Sequence, residues 1–155
     1  LSPGPPTADD LPPLLREMWV GTDGSWLLQV YPDTDPQHRS ILDPQRLGEG
    51  SIWPDFVVEV EPIRPQGGNI VWEWHAWDHL VQDYEPLRLN YGDVGAHPER
   101  IDLNFAADRG KDWIHFNAIA YNAELDQILI SNRGFDEIWV IDHGTTTAEA
   151  AGHGG

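Results

Sequence analysis

Two stretches decide how this chain is read. The first is Asp112-Trp113-Ile114-His115-Phe116-Asn117-Ala118-Ile119-Ala120; the second, after the turn sequence Asn122-Ala123-Glu124-Leu125-Asp126, is Gln127-Ile128-Leu129-Ile130-Ser131-Asn132-Arg133. Both are rich in β-branched and aromatic residues and are bounded by turn formers, the pattern of strands. Strands over residues 113–120 and 127–132, joined by that turn, pair in a register that sets His115 opposite Arg133 and Asn117 opposite Ser131. Opposed residues share a face, as do residues two apart on one strand. The expectation is one patch carrying an imidazole, a carboxamide, a hydroxyl and a guanidinium. Such a group surrounds a tetrahedral oxyanion well, because arginine offers a planar fork of donors while histidine and asparagine add directional hydrogen bonds. The same register puts Ile114, Phe116, Ala118 and Ala120 on a buried face with Ile128 and Ile130. It leaves Trp113, Ile119 and Leu129 flanking the polar patch as the walls of a cavity. A one-residue slip would scatter the group and turn the patch into an ordinary solvated sheet face.

Outward from this hairpin, Asp136 to Asp142 reads as a third strand, making a meander. Upstream, Asp55-Phe56-Val57-Val58-Glu59-Val60 turns around Gln66-Gly67-Gly68 and returns as Asn69-Ile70-Val71-Trp72-Glu73-Trp74, a second hairpin. Trp72, Trp74 and Trp139 are expected to pack the core. A long loop from His75 to Lys111, with a little helix near residues 77–81, separates the two hairpins, and loops of that length are often functional. Thr145-Thr146-Thr147-Ala148-Glu149-Ala150 starts a helix with a threonine cap. Residues 1–50 form a Pro/Gly/Asp-rich segment with a short helix at residues 14–18 and an apolar run at residues 26–31; residues 51–155 form the β-rich domain. Asp33-Thr34-Asp35 is read as a solvated turn, and His38, His75 and His97 as loop or surface histidines.

The 155 residues suffice for one domain with a core, and eight Trp, thirteen Pro and fifteen Gly fit short strands and many turns. Against 26 acidic residues stand 9 basic ones, a net charge of −17, which argues against nucleic acid and anionic membranes as partners. Any anionic substrate must then be held by a local positive group such as Arg133. The absence of cysteine excludes disulfides, zinc thiolate sites and thiol nucleophiles. No apolar run is long enough to span a bilayer, so no membrane insertion is expected. The start, Leu1-Ser2-Pro3-Gly4, lacks an initiating Met and a signal-peptide pattern, and the glycine-rich end suggests excision there as well.

The motifs Gly68-Asn69-Ile70-Val71-Trp72-Glu73-Trp74-His75-Ala76-Trp77-Asp78-His79-Leu80, Asp112 to Asn122, and Asp126 to Arg133 with Glu137-Ile138-Trp139-Val140-Ile141-Asp142 resemble the bacterial arylsulfotransferase family. The resemblance covers about residues 54–150. It implies an all-β fold, a six-bladed β-propeller in which a histidine transiently carries a sulfuryl group from a phenolic sulfate ester to a phenol. It implies no nucleotide donor, no cofactor and no metal, and a periplasmic or secreted location. By motif and spacing it assigns His115, Arg133 and His79 to catalysis and Asn117, with Ser131 beside it, to substrate binding. The carrier histidine is expected beyond Gly155. Blades take about 40–50 residues each, so the chain is expected to be a partial propeller of about three blades, inactive alone and prone to self-associate through open strand edges.

Two other classes fit part of the sequence. A noncatalytic propeller segment would bind a ligand or a protein partner through its loops. A metal-dependent hydrolase would use His75, Asp78 and His79 with Asp83 or His97, although no His-Glu-x-x-His motif supports it.

Overall fold

The computed structural model describes residues 15–20, 26–30, 54–63, 65–105 and 112–153. The Asp33-Thr34-Asp35 and His38 readings fall outside them.

The described residues form mainly antiparallel sheets with very little helix. A four-stranded sheet runs in the order β1 (Leu15–Val20), β2 (Trp26–Val30), β3 (Phe56–Pro62), β4 (Gly68–His75). The stretch read as a short helix at residues 14–18 is therefore a strand. Leu-Arg-Glu-Met has good local helix propensity, but that preference is worth only tenths of a kcal/mol per residue. Pairing with β2, which sets Trp19 opposite Leu27 and Val20 opposite Trp26, outweighs it. The β3–β4 hairpin forms where the β-branched and aromatic pattern put it. Gly67 makes its turn at a φ of 95°, a conformation in which a Cβ would be strained, and its carbonyl accepts the Ile63 N–H at 3.0 Å.

The segment read as a long loop holds short elements of its own. A 3-10 turn at Ala76–His79 leads into β5 (Leu80–Val81), which pairs in parallel with β6 (Ile101–Asp102). Buried Gln82 closes the loop between them. Its amide nitrogen donates to the Glu85 carbonyl at 3.0 Å and to Asn90 Oδ1 at 3.2 Å, while its oxygen accepts the Tyr84 and Glu85 N–H groups at 2.8 and 2.7 Å.

The third sheet is the meander β7 (Phe116–Asn122), β8 (Gln127–Asn132), β9 (Glu137–Asp142). A helical turn follows, α1 (Thr147–Ala150), which packs on β4. As the sequence suggested, it is threonine-capped: Thr146 and Glu149 form a reciprocal capping box. One cluster unites the sheets. Val57, Trp72 and Trp74 of the first sheet pack with Phe116, Ile128, Ile130 and Ile141 of the third, and with Leu80, Leu103, Trp113 and Phe135 from the connections. Trp139 is partly buried against the same cluster, so Trp72, Trp74 and Trp139 all serve the core.

A polar tie crosses between the sheets beside this core. The His143 ring faces Asp126 Oδ1 at 2.7 Å through Nδ1 and Glu59 Oε2 of β3 at 3.3 Å through Nε2, with its edge against the Trp72 ring at 4.8 Å. Asp126 also accepts the Tyr121 hydroxyl at 2.6 Å. That hydroxyl, followed by His143, holds the Asp126 carboxyl below its ordinary range.

Candidate functional site

The polar patch depends on how the chain enters β7. Asp55, buried just before β3, accepts the Phe116 N–H at 2.7 Å through Oδ2, pinning the first residue of β7 to the first sheet. On the other side the β8–β9 turn docks onto the same segment. The Gly134 N–H donates to the Ile114 carbonyl at 2.8 Å, and the Arg133 N–H to the His115 carbonyl at 3.2 Å. Trp113, Ile114 and Phe116 are fully buried. Held from both directions, His115 adopts a φ of 51°, a left-handed conformation that a non-glycine side chain tolerates only when its surroundings enforce it. β7 accordingly begins at Phe116, and residues 113–115 form a bend instead of the first turn of strand expected from sequence.

The pairing register differs from the expected one within β7. Phe116 pairs with Asn132, in the expected frame, but Ala118 pairs with Ser131, Ile119 with Ile130 and Tyr121 with Ile128. The irregularity lies at Asn117, the extra residue of a β-bulge. Downstream of it the faces exchange. Ile119 and Tyr121 pack against the core and Ala118 and Ala120 are exposed, the reverse of the expected assignment. Trp113 is likewise a core residue and not a wall of the patch.

The pairs expected to lie opposite each other, His115 with Arg133 and Asn117 with Ser131, are not ladder partners, but their residues remain close. Asn117, though unpaired in the ladder, accepts a hydrogen bond from the Ser131 hydroxyl through Oδ1. His115 lies beside Arg133 through the backbone bond, and the Arg133 side chain is exposed in the turn, off the Ile128–Ile130 face. Four of the five residues singled out from sequence thus gather at one end of the β7–β8 hairpin. A residue that sequence reasoning missed is Asp112, whose Oδ2 contacts His115 Nδ1. Its signal was the three-residue spacing in Asp-Trp-Ile-His. The carboxylate fixes the ring and leaves Nε2 as the nitrogen open to another partner. Asp55, distant in sequence, carried no such signal.

His79, the fifth residue, is placed differently. It is only 3% exposed, stacks on the Trp74 ring at 4.7 Å, and meets the Ala150 carbonyl at 2.9 Å through Nε2. A carbonyl only accepts, so Nε2 carries the proton and Nδ1 of the neutral ring holds a lone pair. Burial pushes His79 below the ordinary histidine range, with the Ala150 hydrogen bond opposing the shift. His79 lines a cavity of about 500 Å³ bounded also by Trp74, Arg100, Phe105, Phe135 and Trp139. None of His115, Asn117, Ser131 or Arg133 borders that cavity.

Among the described residues no group of three or more His, Asp or Glu side chains is placed to hold a metal ion. The set considered for a hydrolase is dispersed: His75 contacts Glu73 at 3.1 Å and stacks on Phe56, His97 contacts Glu99 at 3.0 Å, and His79 is committed to Ala150. Among the described residues no helix is long and apolar enough to cross a membrane.

These features define an all-β protein with a histidine, arginine and carboxamide gathered at a bulged hairpin. The family model described as arylsulfotransferase (ASST) matches residues 40–149, and the chain belongs to that family. No curated protein and no solved structure matches it significantly.

Proposed function

We propose that the chain takes part in sulfuryl transfer from a phenolic sulfate ester to a phenol, with His115, Arg133 and His79 in catalytic roles and Asn117 and Ser131 on the sulfate. The single observation that carries the reading is the grouping of the family's polar residues at the mouth of the β7–β8 hairpin. There the bulge joins Asn117 to Ser131 while the strained His115 backbone is bonded to Arg133. Strain at a position fixed by buried neighbours is a mark of a functional residue.

In this reading Arg133 clamps two sulfuryl oxygens with its fork of donors, and the Asn117 amide, oriented by Ser131, donates to the third. Transfer runs through a sulfohistidine. A carrier imidazole nitrogen attacks sulfur, the N–S bond forms, and the S–O bond to the aryl group breaks with its electron pair leaving on the phenolate. His115, entering the step as an imidazolium whose Nδ1–H is held by Asp112, gives its Nε2 proton to that oxygen and is left neutral. The acceptor phenol then forms its O–S bond as the N–S bond breaks, and its proton returns to His115. The carrier is a histidine other than His115 and His79. His79, neutral with Nε2–H bound to Ala150, contributes its Nδ1 lone pair as an acceptor. Positioned donors do most of the work, because charge spreads over the sulfuryl oxygens as it leaves.

The fold proposed with this function is a β-propeller, in which β1–β4 form one complete four-stranded blade and β7–β9 three strands of another. Residues 51–155 carry the site, and a periplasmic or secreted setting follows the family. The test is turnover of a phenolic sulfate by Arg133→Ala in a protein that also carries the carrier histidine, expected to fall by roughly 10²-fold or more. Arg133→Lys is expected to recover little, since a point charge cannot reproduce the fork. Unchanged turnover in Arg133→Ala refutes the clamp.

A further inference from the structure

The cavity beside His79 has a chemistry that the sulfuryl-transfer reading does not use. Its aromatic lining is arranged as a corner. The Phe105 and Phe135 rings stack at 5.5 Å with 23° between their planes, and the Trp139 ring meets Phe135 edge-on at 5.2 Å and 69°. Phe105 is 60% exposed, a large apolar ring left open at the mouth of the cavity. Trp139 is held in place by its own strand, its Nε1–H donating to Glu137 Oε2 at 2.9 Å.

The charges around this corner are mostly negative. Glu99, Asp102 and Glu137 line the cavity against one guanidinium, Arg100, whose Nε stands 3.7 Å from Glu99. An anion entering the cavity would meet three carboxylates and a cation already facing one of them. A cation would meet aromatic rings, whose faces carry the negative end of a quadrupole, with carboxylates among the same lining residues. The net charge of −17 raises the local concentration of cations in the same sense. A volume of about 500 Å³ is within the range of small-molecule sites, far more than an inorganic ion needs.

We infer that this cavity binds an organic cation, a quaternary or protonated ammonium group on an aromatic or apolar skeleton, with Phe105, Phe135 and Trp139 against the cation and Glu137 balancing its charge. The site needs neither His115 nor Arg133; of the residues given roles in sulfuryl transfer, His79 alone lines it. It is tested with probes that carry no sulfate ester.

The experiment titrates the protein with benzyltrimethylammonium, benzyl alcohol and benzenesulfonate, read by calorimetry and by the fluorescence of the cavity tryptophans. Saturable binding of benzyltrimethylammonium is expected, weakening as salt is raised, with the alcohol and the sulfonate at least about five-fold weaker. Phe105→Ala and Glu137→Gln each weaken the cation by about five-fold or more. Both side chains are exposed, so the melting transition is expected to stay in place. Benzenesulfonate binding as tightly as the cation overturns the inference, as does the absence of saturable binding. Full affinity in Phe105→Ala, or in Glu137→Gln if Phe105→Ala fails to fold, overturns it equally.

Discussion

Replacing Gly134 by alanine tests how the site is held together. A Cβ built at Gly134 overlaps the Trp113 carbonyl oxygen and lies 2.6 Å from the Trp113 carbonyl carbon and 2.9 Å from the Ile114 carbonyl oxygen. Ordinary carbon–carbon contact is about 3.5–4.0 Å, so the β8–β9 turn must retreat from the β7 entry by at least about 0.9 Å. All three contacted atoms are backbone and none can swing aside. The retreat stretches the Gly134 N–H bond to Ile114 and the Arg133 N–H bond to His115, now 2.8 and 3.2 Å. Each is worth about 1 kcal/mol net, and forced overpacking costs about 1–3 kcal/mol more. The variant is therefore expected to lose about 3–5 kcal/mol, a large share of the ~5–15 kcal/mol typical of a domain. Urea denaturation followed by tryptophan fluorescence measures this directly. A loss below about 1 kcal/mol, with the unfolding slope unchanged, would show that the turn is not clamped to residues 113–115 and that His115 is not fixed by it.

Two other outcomes follow from the buried groups. Asp55→Ala is expected to cost about 1–3 kcal/mol by leaving the Phe116 N–H buried without its acceptor, whereas Asp55→Asn, which keeps an acceptor oxygen, is expected to recover most of it; equal denaturation midpoints for the two variants would contradict this. His79 has a folded pKa below its ordinary 6.5 because it is buried, so the unfolded chain binds a proton that the folded chain refuses, and its contribution to stability falls as pH drops from about 7 toward 5. Denaturation midpoints across that window are expected to decline less in His79→Gln than in the wild type, and parallel declines would refute the assignment.

The strands were legible in the sequence where side-chain chemistry alone sets them. Val57, Trp72 and Trp74, and Ile128 with Ile130, alternate inward as their pattern indicates. The bulge at Asn117 was not legible, because one extra residue in a strand leaves the composition unchanged while exchanging the faces of Ala118, Ile119 and Ala120. It forms where the Asp55 carboxylate and the Gly134 amide fix the chain on either side, and both contacts are remote in sequence. Leu15–Val20 shows the same limit: a weak helical preference yields to a partner strand that only the fold supplies. The nearness of His115, Asn117, Ser131 and Arg133 follows from the short turn between the strands, but the ladder pairing expected between them does not form. The Asp112 contact to His115 was local enough to have been seen, whereas the place of His79 against Ala150 required the helix after β9 to return to the 3-10 turn.

The decisive measurement is sulfuryl transfer from phenolic sulfates of graded phenol pKa, compared between wild type and His115→Ala in a protein that also carries the carrier histidine. Transfer by the wild type is expected, with a loss in His115→Ala that is largest for the most basic phenols and shrinks for an acidic one such as nitrophenol, because a good leaving group needs little protonation. An equal loss for every donor contradicts the role given to His115, and wild-type protein that transfers sulfuryl from none of them contradicts the proposed function itself.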